Sequence, residues 1–260
     1  MKDNQMSTYE RLLQIKRDRG AGYLVLVDPD KVHSAGFPVF IENATAAGAD
    51  AFLVGGSLML SNEFDRVLTT IKKHTSLPVV IFPGSLFQIS PAADAILYIV
   101  LISGRNPDNL IGNHVIAAPI IKRMELETIS TGYMLIEGGT VTSAEFMSNT
   151  RPIPRTKPDI AVAHAVAAEM MGMKLIYLEA GSGAVQSVPD EMIQKVSRSC
   201  SLPLIVGGGI RTPQEARKKA EAGASFVVTG TITEENGRRS VLEEFADAIH
   251  SAAVRRSPPL

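Results

Sequence analysis

Residues 203–230, PLIVGGGIRTPQEARKKAEAGASFVVTG, contain a complete strand–helix–strand unit. A short aliphatic run ends in a glycine-rich turn, a helical segment over 212–222 follows, and a second aliphatic run begins after EAGAS. The AGA sequence supplies a glycine that tolerates the left-handed conformation in which many helices end. Such a unit is typical of two parallel strands joined by a crossover helix. It therefore predicts an α/β fold with a parallel sheet.

Eight aliphatic runs of this kind recur along the chain. They lie at 22–28, 51–55, 78–82, 95–102, 132–137, 174–179, 203–208 and 225–230. Most are hydrophobic throughout, as expected of parallel strands that are covered on both faces. Eight strand–helix units close a (β/α)8 barrel, or TIM barrel, of about 250 residues. We therefore expect residues 1–260 to form a single barrel domain, with a doubly wound open sheet as the alternative.

The connection between the third and fourth runs is too short for a barrel helix. Residues 83–94, PGSLFQISPAAD, contain two prolines, which disfavour a full helix. The sequence predicts that the third helix is shortened or missing, which would expose apolar barrel wall. That wall would form either a subunit contact or a groove for a long apolar ligand, bordered by Phe82, Phe87 and Tyr98.

Composition excludes several classes of protein. The 26 Lys and Arg residues nearly balance the 27 Asp and Glu residues, and no basic tract interleaved with aromatic residues indicates a nucleic-acid partner. The longest apolar run, 95–102, is far below the ~20 residues of a membrane span, and the polar N-terminal stretch does not resemble a signal peptide. The single cysteine, Cys200, excludes an internal disulfide and is expected to be a packing residue. We expect a cytoplasmic protein.

One helical segment indicates an oligomer. The segment 158–172, PDIAVAHAVAAEMMG, is apolar on nearly every face, whereas an outer barrel helix that faces water is amphipathic. We therefore expect another subunit to cover it in a homo-oligomer. The basic, proline-rich loop before it, NTRPIPRTKP at 149–158, is either a cover for the active-site side of the barrel or a surface insertion.

Glycine-rich turns follow the last three runs, at the strand ends where barrel active sites lie. They are YLEAGSGA at 177–184, GGGIRT at 207–212 and TGT at 229–231. One such turn would need no functional explanation. Three that converge on one rim can present a cradle of backbone N–H groups, which binds phosphate without a basic side chain. The sequence therefore predicts a phosphate site at the sixth to eighth strands.

Asp28 follows the first run, within VDPDK at 27–31. A carboxylate buried at a barrel mouth is costly unless it is paired or bound to a metal. Mg²⁺ is commonly held by one or two carboxylates together with substrate phosphate oxygens, and Ser57 after the second run could complete such a site. The alternative is an ion pair between Asp28 and Lys31 or an arginine.

Five motifs together resemble a known family. VDPDK, VGGS, IYLEAGSGA, VGGGIRT and VVTGT, in this order, are similar to motifs of the geranylgeranylglyceryl phosphate synthases and the related bacterial prenylglyceryl phosphate synthases. The resemblance covers nearly the whole chain, although GGGIRT alone recurs in many phosphate-binding barrels. It implies a TIM barrel without a regular third helix and a groove on the barrel for a prenyl chain. The implied Mg²⁺-dependent reaction joins the sn-3 hydroxyl of sn-glycerol 1-phosphate to C1 of a polyprenyl diphosphate, in the first instance geranylgeranyl diphosphate. Diphosphate is released, and the product serves ether-lipid synthesis.

The resemblance also implies roles for individual residues. Asp28 and Ser57 match the magnesium ligands. The glycerol phosphate site is matched by Tyr177, Leu178, Glu179, Ala180, Gly181, Ser182, Gly183, Gly208, Gly209, Gly230 and Thr231. Glu179 could hydrogen-bond the glycerol hydroxyls and accept a proton, so Glu179 and Tyr177 are the predicted catalytic residues. Because the product is a lipid, a transient contact with a membrane surface is expected at its release.

Two other functions remain open on sequence grounds. An isomerase or aldolase-type barrel would use the same phosphate cradle. It would also need a second acid–base group or a Schiff-base lysine, and the eight runs contain no lysine except Lys174 at the start of one. A non-catalytic barrel that binds phosphate metabolites would leave Asp28 and Glu179 as uncompensated carboxylates.

Overall fold

The structure, a computed structural model, describes residues 6–32, 36–230 and 238–252. Its eight strands pair in parallel in chain order, and the first also pairs with the eighth, which closes a barrel. The strands are β1 (Gly22–Val27), β2 (Ala51–Val54), β3 (Val79–Ile81), β4 (Ala95–Leu101), β5 (Glu127–Leu135), β6 (Leu175–Glu179), β7 (Leu204–Gly207) and β8 (Phe226–Thr229). The predicted TIM barrel is confirmed, and the open-sheet alternative is wrong.

Helices surround the barrel and close one end of it. They are α1 (Thr8–Arg19), α2 (Phe37–Ala46), α3 (Phe64–His74), α4 (Asn113–Arg123), α5 (Ser143–Ser148), α6 (Pro158–Met170), α7 (Asp190–Ser199), α8 (Pro213–Glu221) and α9 (Arg239–His250). Glycines with positive φ angles follow several of them, including Gly48 at 97°, Gly172 at 76° and Gly223, the glycine predicted from EAGAS, at 115°. No described helix has the length and apolar character that a membrane span requires.

The third barrel helix is missing, as predicted. Residues 82–94, all of which the structure describes, form turns between β3 and β4 rather than a helix. The side chains of Ile96 and Tyr98 on β4 point outward, into the core layer between the barrel and the helices. At this position the ring of helices has a gap. This gap determines the shape of the site described below.

The hydrophobic core has two layers. Inside the barrel, the side chains of Leu24, Leu53 and Tyr177 pack together, and Leu12 of α1 joins them from the N-terminal end. Between barrel and helices, residues such as Leu178 face outward onto the surrounding helices. Alternation along each strand thus sends neighbouring residues into different layers.

The α6 helix buries only small residues, Ala161, Ala165 and Ala168, and Met170 at its end is 83% exposed. The homo-oligomer expected from this helix stays a prediction. Cys200 is buried behind α6, where its thiol donates to the carbonyl of Ala165 at 3.6 Å, as expected of a packing residue.

The 149–158 loop is fastened to the end of β5. Ile153 forms a bridge with Ile136. The Arg155 guanidinium donates to the carbonyls of Glu137, at 2.9 Å, and Ser187, at 3.2 Å. No residue of this loop lines the cavity at the barrel mouth. These contacts favour the surface insertion over the cover.

Candidate active site

A cavity of about 1510 Å³ opens at the C-terminal end of the barrel and continues into the gap left by the missing helix. Predicted site residues that line it are Asp28, Ser57, Glu179, Gly181, Ser182, Gly183, Gly208, Gly209 and Gly230. Tyr177, Leu178 and Ala180 do not line it. Thr231 lies outside the described residues.

The turns after β6 and β7 form the polar wall of this cavity. Gly181, Gly183, Gly208 and Gly209 all have positive φ angles, between 69° and 99°. A Cβ on Gly208 would lie 2.2 Å from Glu179 Oε1 and 2.5 Å from the backbone nitrogen of Gly181, so the two turns pack backbone against backbone. Such close packing requires glycine at this position.

Four backbone N–H groups on these turns are available to a ligand. Within the described part of the chain, the N–H groups of Ser182, Gly183, Gly208 and Gly209 have no protein acceptor. The N–H of Gly181, in contrast, donates to Glu179 Oε1 at 2.6 Å. The four groups form a short concave array of the kind that binds phosphate oxygens. Gly181 contributes by orienting Glu179.

Glu179 is the last residue of β6 and is only 5% exposed. Burial raises the pKa of its carboxyl to about 7, although the Gly181 N–H and the nearby Tyr177 hydroxyl both favour the charged form. A carboxyl with a pKa near neutrality can accept a proton and release it again at the pH of most cells. Glu179 therefore lies at the edge of the cavity with a pKa that allows it to exchange a proton near neutral pH.

Tyr177 lies behind Glu179 rather than in the cavity. Its ring is wholly buried, stacks on Phe82 at 5.0 Å between centroids and meets Tyr133 edge-on at 5.4 Å. Its hydroxyl has no well-aligned hydrogen-bond partner among the described residues. Burial and the neighbouring Glu179 raise the pKa of Tyr177 well above its usual value. Tyr177 does not line the cavity, and its predicted catalytic role stays a prediction.

The other two predicted residues that do not line the cavity make backbone and core contacts. The Leu178 side chain is buried between the barrel and the helices, on the side away from the cavity. The Ala180 N–H donates to the carbonyl of Gly207 at 3.1 Å. Neither side chain reaches the polar wall, so any contribution of these residues to binding is through the backbone.

Asp28 faces the polar wall from the end of β1. It is 23% exposed, accepts a hydrogen bond from the N–H of Asp30 at 3.2 Å, and lies 3.4 Å from the Lys31 ammonium. The ion pair considered as an alternative to metal binding is thus present. A Cβ on Gly56 would lie 3.1 Å from Asp28 Oδ1, so the carboxylate rests against the turn that carries Ser57. Among the described residues, no group of three or more His, Cys, Asp or Glu side chains could hold a metal.

The gap between α3 and α4 forms the apolar arm of the cavity. Its lining includes Phe64, Leu86, Ile89, Ile96, Tyr98, His114, Ala117 and Ile121. The Tyr98 hydroxyl donates to the carbonyl of His114 at 2.8 Å, and the two rings meet edge-on. The predicted groove is therefore open and continuous with the polar site. Phe87 at its rim is 86% exposed.

Comparison with known proteins identifies the family to which this chain belongs. A model of the PcrB family matches residues 13–252. The chain belongs to the PcrB family. A relative from Chitinophaga pinensis, named geranylgeranylglyceryl phosphate synthase, is 45% identical over 245 residues, which are 94% of this chain and 96% of the relative. A relative of the same name from Korarchaeum cryptofilum is 42% identical over 248 residues, which are 95% and 100% of the two chains.

A solved structure of the family has nearly the same fold. It is (S)-3-O-geranylgeranylglyceryl phosphate synthase from Thermoplasma acidophilum in complex with sn-glycerol-1-phosphate, with 34% identity and a TM-score of 0.89. The match covers 95% of this chain and 99% of that one. The resemblance seen in the sequence motifs is confirmed, and this PcrB family member is an enzyme of the geranylgeranylglyceryl phosphate synthase group.

The predicted site residues omitted two residues beside Glu179, Tyr133 and Gly207, although Gly207 is the first residue of GGGIRT. Tyr133 lines the cavity and pairs in register with Tyr177, so both rings point into the barrel. A Cβ on Gly207 would lie 2.8 Å from Glu179 Oε2 and 2.7 Å from the Tyr177 hydroxyl. The alternation of inward and outward side chains along residues 132–137, GYMLIE, could have identified Tyr133. The need for glycine at 207 depends on a contact between strands that the sequence does not show.

Proposed function

We propose that the chain is a Mg²⁺-dependent prenyltransferase that joins sn-glycerol 1-phosphate to a polyprenyl diphosphate. One observation carries the proposal: a single cavity connects an anion cradle and a near-neutral carboxyl to an open apolar groove. A reaction between a small phosphorylated alcohol and a long apolar allylic diphosphate needs both the polar part and the apolar part of this cavity. The bound sn-glycerol-1-phosphate of the Thermoplasma acidophilum relative supports the first substrate.

The glycerol phosphate would bind at the polar wall. Its phosphate accepts hydrogen bonds from the N–H groups of Ser182, Gly183, Gly208 and Gly209, and no lysine is needed. Its free hydroxyl then lies toward Glu179, whose second oxygen, Oε2, is not bonded to Gly181. Binding in this direction fixes which end of the substrate faces the groove. The fixed orientation supplies much of the rate enhancement.

In the chemical step, the hydroxyl oxygen forms a bond to C1 of the prenyl chain as the bond from C1 to the diphosphate oxygen breaks. Glu179 accepts the hydroxyl proton and later releases it to solvent. Phe82 and Tyr133 line the cavity next to Glu179, and aromatic faces stabilise positive charge such as that developing on the allylic carbon. Diphosphate leaves toward Asp28 and Lys31.

Mg²⁺ would be held by Asp28 and Ser57. The residues fit a hard cation, because the Asp28 carboxylate rests against the turn that carries Ser57 and both line the cavity. One carboxylate is enough where diphosphate and water supply the remaining ligands. When bound, the cation would neutralise charge on the leaving diphosphate. Lys31, 3.4 Å from Asp28, adds a positive charge at the same place.

We also propose that the mouth of the cavity makes a transient contact with a membrane surface when the product leaves. Leu60 is 83% exposed, Phe87 is 86% exposed and Phe146 is 78% exposed. Leu60 and Phe87 line the cavity, and Phe146 adjoins Met147, which also lines it. Exposed apolar side chains at the opening of a lipid-binding groove favour such a contact.

One incubation tests the transferase. Radiolabelled sn-glycerol 1-phosphate is supplied with Mg²⁺ and prenyl diphosphates of several chain lengths, and an organic extract is counted. We expect extractable label that requires the diphosphate and is lost with a chelator. Parallel samples with the 3-phosphate enantiomer report stereochemical choice. No extractable label at any chain length would contradict the proposal.

A further inference from the structure

Gln88 is a fully buried polar residue in the linker between β3 and β4 that replaces the missing helix. Its side-chain amide forms three hydrogen bonds with the backbone. Nε2 donates to the carbonyl of Gly56 at 2.7 Å, and Oε1 accepts from the N–H groups of Gly56 and Gly84, both at 3.2 Å. The two bonds with Gly56 are reciprocal, as between neighbouring strands. One side chain thus joins the linker to the turn after β2.

The two turns that Gln88 joins are packed so closely that their glycines, Gly55 and Gly84, leave no room for a side chain. A Cβ on Gly55 would lie 1.8 Å from the carbonyl oxygen of Phe82. A Cβ on Gly84 would lie 2.1 Å from the carbonyl oxygen of Gly56. Backbone groups in such a contact need hydrogen-bond partners, because an unsatisfied buried group is costly. Gln88 supplies those partners where a barrel helix would otherwise order the chain.

Gln88 does not line the cavity, but both turns that it holds do. Gly56 rests against Asp28 and precedes Ser57, at the diphosphate end of the site. Gly84 precedes the stretch 85–87, which lines the entrance of the apolar groove. The Gln88 amide therefore helps to fix the groove entrance relative to Asp28, together with the close backbone contact of the two turns.

We propose that Gln88 is a positioning residue for the prenyl diphosphate, which aligns the diphosphate end of the site with the entrance of the groove. The inference rests on the proposed function. It concerns one substrate only, because the turns that hold glycerol phosphate follow β6 and β7 and share no hydrogen bond with Gln88. Loss of Gln88 therefore weakens prenyl diphosphate binding and spares glycerol phosphate binding.

The test compares Gln88→Met with Ser90→Ala. Methionine matches the length of glutamine without its hydrogen bonds. Ser90 is also buried in the linker, and among the described residues its hydroxyl bonds only to the N–H of Ala92, so it reports general loosening of this segment. Calorimetry measures binding of an unreactive prenyl thiodiphosphate with Mg²⁺ and, separately, of sn-glycerol 1-phosphate. Steady-state kinetics give KM for both substrates, and circular dichroism confirms folding.

For Gln88→Met we expect prenyl thiodiphosphate affinity to fall about tenfold or more, as misplaced binding groups commonly cause. The affinity for glycerol phosphate should stay within about twofold, and Ser90→Ala should match the wild type. Equal loss of both ligands, or no difference from Ser90→Ala, would overturn the proposal. If the wild type neither binds nor converts prenyl diphosphates, the proposed function itself fails, which is a distinguishable result.

Gln88→Asn keeps the test decisive if the methionine variant does not fold. Asparagine keeps the uncharged amide but is one methylene shorter, so it cannot reach the backbone groups of Gly56 and Gly84 at the same distances. It should fold and show the same selective loss of prenyl diphosphate affinity, to a smaller extent. Failure of both variants to fold would show that Gln88 serves the fold alone and would overturn the proposal.

Discussion

The two ends of the barrel treat their carboxylates in opposite ways. At the N-terminal end, Asp50 is 4% exposed and accepts hydrogen bonds from the Tyr23 N–H and from His250, with Arg19 at 3.4 Å. At the C-terminal end, Glu179 is just as buried but has no basic partner among the described residues, and its pKa rises to about 7. The hydrogen-bonded, paired carboxylate of Asp50 thus favours the folded state, whereas Glu179 is left with a near-neutral pKa.

A second pair of carboxylates repeats the contrast. Glu127 at the N-terminal end accepts from the N–H groups of Thr8 and Tyr9, which begin α1, and so fastens the helix that closes the barrel. Asp28 at the C-terminal end remains 23% exposed toward the cavity. The different surroundings of these carboxylates favour a structural role at the N-terminal end of the barrel and ligand binding at the C-terminal end, as in other TIM barrels.

Glu179→Gln should give the largest effect. Glutamine keeps the size of the side chain but cannot accept the proton, so we expect kcat to fall by about 10²–10⁴-fold. The matched change at the other end, Glu127→Gln, should lower thermal stability and leave kcat/KM near the wild-type value. Turnover by Glu179→Gln close to the wild type would remove the proposed proton acceptor, and with it the contrast between the two ends.

Asp28→Ala should reduce activity next most strongly, by about 10²-fold, because the diphosphate end loses the cavity-lining carboxylate that lies against the turn carrying Ser57. The expected signature is a rise in the Mg²⁺ concentration needed for half-maximal rate. Binding of sn-glycerol 1-phosphate, measured without Mg²⁺, should not change. An unaltered Mg²⁺ requirement would instead favour the ion pair with Lys31 as the whole purpose of Asp28.

Much of the fold and part of the candidate site could be predicted from the sequence, because these features follow from short-range patterns. Parallel strands buried on both faces produce continuous apolar runs, and two prolines in 83–94 exclude a helix there. Asp28 and Glu179 were found because each directly follows or ends a strand. These features need only the order of residues along the chain.

Contacts between distant segments could not be predicted. Gln88 has no motif, and its bonds to Gly56 join residues that lie 32 positions apart. The Gly181 N–H was expected to face a ligand but donates to Glu179 instead. Leu178 and Tyr177 fall in opposite layers of the core although they are neighbours in one motif. Each outcome depends on strand packing, which no local pattern encodes.

Asp50→Ala tests the N-terminal end directly. Removing this carboxylate leaves the Tyr23 N–H and the His250 ring without their buried partner. We expect the free energy of unfolding to fall by about 3–4 kcal/mol, which urea unfolding can measure. The KM values for both substrates should be unchanged, since the cavity lies at the other end. A selective change in KM would show that the two ends are coupled.

The smallest expected effect is on the pH dependence of stability, which tests the contrast between the two ends of the barrel. Because burial raises the pKa of Glu179 from 4.5 to about 7 in the folded protein, the unfolded chain loses this proton at lower pH than the folded one. Below about pH 4 the carboxyl is protonated in both states and costs nothing, and as pH rises toward 7 the free energy of unfolding falls progressively, by about 3 kcal/mol in all. The Glu179→Gln variant has no ionisable group at this position. Its stability relative to the wild type should rise across the same window and level off above it, in urea unfolding at several pH values without ligands. A constant difference between the two proteins would mean that the pKa of Glu179 is the same in the folded and the unfolded chain, and that the C-terminal end compensates its buried carboxylate.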